Sequence, residues 1–152
     1  MRIERQLSIF LDNRPGVLAA VCRDLAAHDV NIDAITVANL ADHAVVRMVV
    51  TDPEAAVHLL EERGVLVISS EVLAIDLPDR PGAMADLAER LGQARINIDY
   101  LYGSSRGSRT GRPTIFVRVA DPARAEHALA RRAPRRSTPV RKVRSRPTRR
   151  AR

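Results

Sequence analysis

The chain contains the same unit twice, so its fold must be one that a short segment can make and then repeat beside itself. Asn13-Arg14-Pro15-Gly16 returns as Asp79-Arg80-Pro81-Gly82, an offset of 66 positions. The offset runs forward without a gap, from Leu25 and Leu91 to Asn31-Ile32-Asp33 and Asn97-Ile98-Asp99. It also runs backward, pairing Leu7, Ile9 and Leu11 with Leu73, Ile75 and Leu77. Further on, Asp52-Pro53 meets Asp121-Pro122 at an offset of 69, so the second copy carries three extra residues between those points. A match this long marks a duplication.

Periodicity divides each copy into elements. Leu7, Ile9 and Leu11 alternate with Gln6, Ser8 and Phe10, the period of a strand. After the turn at 13–16, the residues Val17, Leu18, Val21, Cys22 and Leu25 recur at helical spacing and form one apolar stripe. Residues 31–40 and 44–51 are β-rich and joined by Ala41-Asp42-His43, a hairpin connection. Asp52 is a good N-cap, because its carboxylate accepts free backbone N–H groups, and Pro53 suits the first helical position. Leu59 and Leu60 mark the buried side of that helix. Gly64 ends it, and residues 65–68 form another strand.

The order is β-α-β-β-α-β, which predicts an α+β, ferredoxin-like unit with both helices on one face of an antiparallel sheet. The second copy predicts strand 71–77, helix 82–94, strands 96–103 and 113–120, and helix 121–131. Its last strand is missing, because no β-rich run follows Arg131. The expected units are therefore 1–69, a shorter 70–131, and a tail over 132–152. No linker separates the first two. Residues 65–77 read as nearly continuous strand, interrupted at most at Ser69-Ser70, so the modules are expected side by side as a pseudo-dimer within one chain.

Composition bounds the core and the charge. Apolar residues make up 45% and aromatics only 3%, which calls for an aliphatic core. Small cores of this kind are marginal alone, so pairing of modules or of chains into a dimer is expected. The formal charge is +7. Residues 131–152 hold eleven Lys or Arg and no acid, which leaves 14 basic against 18 acidic residues in the body. The body is thus mildly acidic and is not a nucleic-acid-binding domain by charge. The Arg/Pro-rich tail reads as disordered, as a salt-sensitive contact for nucleic acid or an acidic partner, or as an out-of-frame translation of GC-rich sequence. The single cysteine, Cys22, excludes a disulfide framework within one chain, and the stretch after Met1 does not read as a signal peptide. With no apolar run long enough to span a membrane, a cytoplasmic protein is expected.

The strand–turn–helix corner has its own chemistry. Pro15 presets φ and Gly16 permits close backbone approach. The following helix aims its unpaired N–H groups and the positive end of its dipole at the turn, which suits a carboxylate or phosphate. Asn13 adds a donor and acceptors beside it. A free α-amino acid needs both: donors for its carboxylate and acceptors for its ammonium. Arg-Pro-Gly also serves as a plain tight turn, and both readings stand at this point.

The turn together with the downstream Asn-Ile resembles the ACT domain family, the small-molecule-sensing modules of amino-acid metabolism. Residues 12–18 through Val30-Asn31-Ile32 are similar to the regulatory domain of phosphoglycerate dehydrogenase. The run 31–37 is similar to the small regulatory subunit of acetolactate synthase. The layout of two fused modules resembles stand-alone tandem ACT proteins. The resemblance implies a non-catalytic regulatory protein that binds a free amino acid, without a cofactor, at a site crossing a domain interface. It implies ligand contacts from Asp12, Asn13, Arg14, Pro15, Gly16, Val17, Leu18, Asn31 and Ile32. In the second copy it implies Asp79, Arg80, Pro81, Gly82, Ala83, Met84, Asn97, Ile98 and Tyr100. The corner around Asn13, Gly16 and Asn31, walled by the other module, carries the fuller pattern. Asp79 departs from it, since a carboxylate there attracts an ammonium and repels a carboxylate. The alternative is a ligand-independent assembly subunit of an amino-acid biosynthetic enzyme such as acetolactate synthase.

Tyr100 and Tyr102 share one face of a strand, either as packing or with one ring over the ligand. Residues 103–112 read as a flexible basic hairpin tip. Cys22 reads as an inert core thiol, and His28, His43, His58 and His127 lack metal-ligand spacing. No nucleophile–base pair, carboxylate dyad or nucleotide loop is present, so no metal site and no enzyme activity are expected.

Overall fold

The computed structural model describes residues 1–40, 42–104 and 113–130. The first copy forms β1 (Arg2–Asp12), α1 (Val17–Ala27), β2 (Ile32–Leu40), β3 (His43–Val50) and α2 (Pro53–Glu62). The shared strand β4 (Val67–Asp76) follows, then α3 (Ala83–Gln93), β5 (Tyr100–Ser104), β6 (Thr114–Arg118) and α4 (Pro122–Ala130). The six strands make one sheet in the order β2-β3-β1-β4-β6-β5, with every neighbouring pair antiparallel. This is the α+β architecture expected of two ferredoxin-like units.

Local chemistry explains the boundaries. Gly16 and Gly82 precede α1 and α3 with φ of +88° and +86°, a left-handed turn that a side chain disfavours. Asp52 caps α2 by accepting from Ala55 N at 3.0 Å, and Pro53 opens the helix. Asp121 repeats the device for α4, accepting from Arg124 N at 2.9 Å. Asp29 and Arg95, again 66 positions apart, both take positive φ just past α1 and α3.

Three details differ from the sequence expectation. No break occurs at Ser69-Ser70: β4 runs straight through and serves both copies. β1 begins at Arg2, well before Leu7, because its polar first half still finds ladder partners. β5 begins at Tyr100 rather than 96, although Asp99 N still donates to Arg118 O at 3.0 Å. The basic hairpin tip beyond Ser104 and the tail from Arg131 lie outside the described residues.

The β1–β4 ladder shows how the copies are joined. Arg5 pairs with Glu71, and these two occupy equivalent positions in the duplication. A pseudo-twofold axis therefore passes through that pair. In the first copy Ser8 lies beside Ile68; in the second, its equivalent Ala74 lies beside Arg2. The first residues of β1 thus stand where the last strand of the second unit would stand. One ladder completes both modules.

Two aliphatic cores lie under the helices. Leu7, Ile9, Leu25, Val46, Met48 and Leu60 belong to the first, and Leu73, Leu87, Leu91, Val117, Val119 and Leu129 to the second. The opposite face of the sheet is not left open. The outermost strands β2 and β5 come into contact, so the sheet curls toward a barrel. Inside the curl, Ala34 and Val49 meet Val72, Ala74, Tyr102 and Phe116. The few aromatics concentrate here, with Tyr102 and Phe116 stacked at 5.4 Å between ring centroids.

Candidate ligand site

The first corner follows the end of β1. Asn13 N donates to Asp42 O at 3.0 Å, tying the corner to the β2–β3 connection. Arg14 turns back to Asp12, with Nη2 2.5 Å from Oδ2. A side-chain cap is lacking at α1, and its first turn holds no acid. Val17 and Leu18 pack partly against the first core. Val17 N donates to Arg14 O at 3.4 Å, and the dipole of α1 points at the corner beneath an uncovered Gly16, where a Cβ would meet nothing within 4 Å.

Asn31 lies elsewhere. Its N–H donates to Thr51 Oγ1 at 3.0 Å, its carbonyl accepts from Thr51 N at 3.0 Å, and its side chain donates to Asp33 at 3.1 Å. Ile32 pairs with Val50, whereas Asp12 pairs with His43. Asn13 and Asn31 therefore stand at opposite ends of β3, roughly 23 Å apart at the rise of a strand. The expected grouping of Asn13, Gly16 and Asn31 around one ligand is not what the structure forms. The reason is α1, which carries the chain back along the whole sheet before β2 starts.

Across the modules the geometry is different. The second corner follows β4, and Leu77 N donates to Pro113 O at 3.0 Å next to the start of β6. Asn97 and Ile98 lie at the other end, just before the Asp99–Arg118 bond. Because β1 and β4 are antiparallel, Asn13 and Asn97 share one end of the curled sheet, and Asp79 and Asn31 share the other. β2 and β5 also come into contact across the curl. Any site that joins a corner to a downstream Asn must cross between modules.

The second corner is furnished differently. Arg80 Nη2 lies 2.5 Å from Asp86 Oδ2, and Arg80 Nη1 donates to the Pro81 carbonyl at 3.2 Å. Ala83 is buried, and Met84 packs partly against the second core. A cavity of about 290 Å³ opens beside this corner, floored by Ile75, Leu77, Leu87 and Leu129. The equivalent residues of the first module, Ile9, Leu11, Val21 and Leu60, belong to the first core, against which Val65 and Val67 pack.

Tyr100 does not face a corner. It points into the curl, accepting from Gln6 Nε2 at 2.7 Å while Arg47 lies over its ring at 4.4 Å. Tyr102 donates to Gln6 Oε1 at 3.0 Å. Burial, with Tyr100 adding to it and Arg47 opposing it, pushes the Tyr102 phenol far above its ordinary pKa. Gln6 and Asp86 were not among the candidate residues. Gln6 shares its side of β1 with Glu4 and Ser8, so nothing local marks it, whereas Asp86 is visible as an acid where the first copy has Ala20.

The sequence model of the ACT domain pair matches residues 1–132. The chain belongs to the ACT domain pair family. Among solved structures, this ACT pair is similar to protein BT0572 from Bacteroides thetaiotaomicron, at 29% identity and a TM-score of 0.77, covering 84% of this chain and 87% of that one. It shares its fold with the regulatory subunit of aspartate kinase from Thermus thermophilus in its ligand-free form, at 19% identity and a TM-score of 0.63, covering 86% of this chain and 94% of that one. Aspartate kinase from Synechocystis matches at 22% identity and a TM-score of 0.56, over 84% of this chain and 26% of that one. No curated protein sequence matches the ACT pair. Among its described residues, no helix is long and apolar enough to cross a membrane.

Proposed function

We propose that this ACT pair is a non-catalytic cytoplasmic sensor of a free amino acid, which it holds where a corner of one module faces the start of the edge strand of the other. The observation that supports this reading most is the antiparallel pseudo-dimer, which gathers an uncapped helix N-terminus and an Asn from the opposite module at one end of the sheet. The α1 N–H groups suit the ligand carboxylate, and side-chain oxygens of Asn13 and Asn97 suit its ammonium. A ligand spanning both modules stabilises one packing of β2 against β5 and so couples occupancy to the shape of the pair. Thermal-shift screening against the proteinogenic amino acids at millimolar concentration tests the reading. Stabilisation by at least one of them, lost in Asn13→Ala, is the expected result, and no stabilisation by any overturns it.

A second reading is a regulatory or assembly subunit that acts on a biosynthetic enzyme, or as a homodimer, without needing a ligand. It is favoured by Ile35 and Val37 on β2 and Leu101 on β5, which lie exposed on the helix-bearing side of the two edge strands. Such an apolar strip is a surface for another protein. Light scattering of the purified chain and co-purification from its source test it; a monomer that recovers no partner overturns it.

A further inference from the structure

The cavity beside the second corner lies where the first module places its own chain. In the first module the segment after α2 returns to the sheet by a definite set of bonds. Leu60 O accepts from Arg63 N at 3.2 Å and from Val65 N at 3.0 Å, and Gly64 takes a φ of +73° between them. Asp24 on α1 holds Arg63, with Oδ2 2.7 Å from Nη1. Val65 then packs against the first core, and Val67 pairs with Ile9.

The sequence of the second copy opposes this return at three points. At the offset of 69, Gly64 becomes Ala133 and Val65 becomes Pro134. Alanine disfavours the left-handed turn, and proline has no N–H to give. Asp24 becomes Arg90 while Arg63 becomes Arg132, which replaces an ion pair by like charges. Arg90 donates instead to Leu129 O, the counterpart of Leu60 O. Continued by one residue, the β1–β4 register sets Met1 beside Ile75, as Val67 stands beside Ile9. The cavity of about 290 Å³, bounded by Met1, Ile75, Leu77, Leu87 and Leu129, therefore coincides with the seat of Val65.

We propose that this cavity is a separate ligand site, which takes one free aliphatic L-amino acid (valine, leucine or isoleucine) in the place of Val65. The ligand side chain rests on Ile75, Leu77 and Leu87, as Val65 rests on the first core. Its ammonium donates to Leu129 O; a carbonyl has two lone pairs, and Leu60 O already takes two donors. The charged side chains lining the cavity are Asp76, Arg80, Asp86 and Arg90, which supply both signs that a zwitterion needs. Asp76 accepts from Thr114 Oγ1 at 2.7 Å. Arg80 gives one N–H to Asp86 and one to Pro81 O, two of its five, and adds the ligand carboxylate. The volume stands at the lower limit of ligand cavities, about 300 Å³, so the occupant is small. The site lies on the helix-bearing side of the second module and does not rest on the reading of the Asn13–Asn97 end.

The test is methyl NMR of the full chain, titrated in turn with L-valine, L-leucine and L-isoleucine to millimolar concentration. Saturable shifts are expected for the methyls of Ile75, Leu77, Leu87 and Leu129, with their counterparts Ile9, Leu11, Val21 and Leu60 unmoved. Arg80→Ala, at an exposed position, is expected to weaken binding about tenfold, the loss of one charge-assisted hydrogen bond. The double variant Ala133→Gly with Pro134→Val restores the residues of the first copy and is expected to abolish binding by returning the chain to the seat. Methyls of the second core that stay silent with all three amino acids overturn the proposal; a response confined to the Gly16 and Asn97 amides does so while leaving the sensor reading standing. Shifts that persist undiminished in the double variant overturn it as well, because the ligand then lies outside the seat of Val65. Nuclear Overhauser contacts from residues 131–152 to these methyls in the ligand-free chain overturn it by showing that the chain itself fills the seat.

Discussion

Gln6 and Tyr100, 94 residues apart in the chain, meet inside the curled sheet, with Gln6 Nε2 donating to the Tyr100 hydroxyl at 2.7 Å. The same amide accepts from Tyr102 at 3.0 Å and lies near Ser70 Oγ at 3.2 Å. An amide is the side chain that can donate to one tyrosine and accept from the other. Gln6 is fully buried, so it fastens the first strand of one module to the edge strand of the other without water. Replacing it by Leu keeps the volume and strands the tyrosine hydroxyls, at a cost of about 2 kcal/mol for a buried polar group left unmade. Urea denaturation checks this, and a loss below about 0.5 kcal/mol would remove the clasp from the account of the fold.

Tyr102 gives the fold a pH dependence at the alkaline end. Burial raises its folded pKa above the ordinary tyrosine value, so the folded state keeps a proton that the unfolded chain releases. The stabilisation is therefore complete below about pH 10 and is lost as the pH climbs beyond it, by at most about 1.4 kcal/mol per pH unit. Tyr102→Phe is expected to flatten that slope while lowering stability near neutrality, because Gln6 Oε1 loses its donor. Denaturant midpoints at pH 8, 10 and 11 for both proteins check the sign.

Much of this architecture is legible in the sequence, and the exceptions share a cause. The alternation at Leu7, Ile9 and Leu11, the helical stripe from Val17 to Leu25 and the Asp52-Pro53 cap each act within a few residues, so local pattern reveals them. The start of β1 does not show, because Arg2, Glu4, Arg5 and Gln6 have no apolar alternation and become strand only by pairing with β4. Asn13 and Asn31 look like partners because they are close in the chain. An eleven-residue helix at 1.5 Å per residue carries the chain about 16 Å away between them. The Gln6 clasp depends on sheet curvature, which no local pattern encodes.

The shared strand predicts that neither copy folds alone. A boundary at 69/70 cuts β4 in the middle and removes Arg2, Ile3 and Glu4 from the partners of Ala74, Leu73 and Val72. Fragments 1–69 and 70–131 are expected to lack cooperative unfolding separately and to regain strand signal in circular dichroism when mixed. The intact chain is expected to lose both modules in one urea transition. Two separated transitions would show that β4 does not couple the halves.

Glycine substitutions separate backbone strain from packing. At Gly16 and Gly82 the φ values of +88° and +86° lie where a Cβ is disfavoured, and no atom crowds that Cβ closer than 3.7 Å. Alanine at either site is therefore expected to cost about 1–2 kcal/mol through the backbone alone. Gly92 lies inside α3, and a Cβ there meets nothing within 4 Å. Alanine restores helix propensity at that position and is expected to stabilise by about 0.5–1 kcal/mol. Urea midpoints for the three variants should thus move in opposite directions. A Gly16→Ala protein as stable as the parent would mean the corner can relax out of its left-handed turn, and the helix N–H groups of α1 would then not be held ready for a carboxylate.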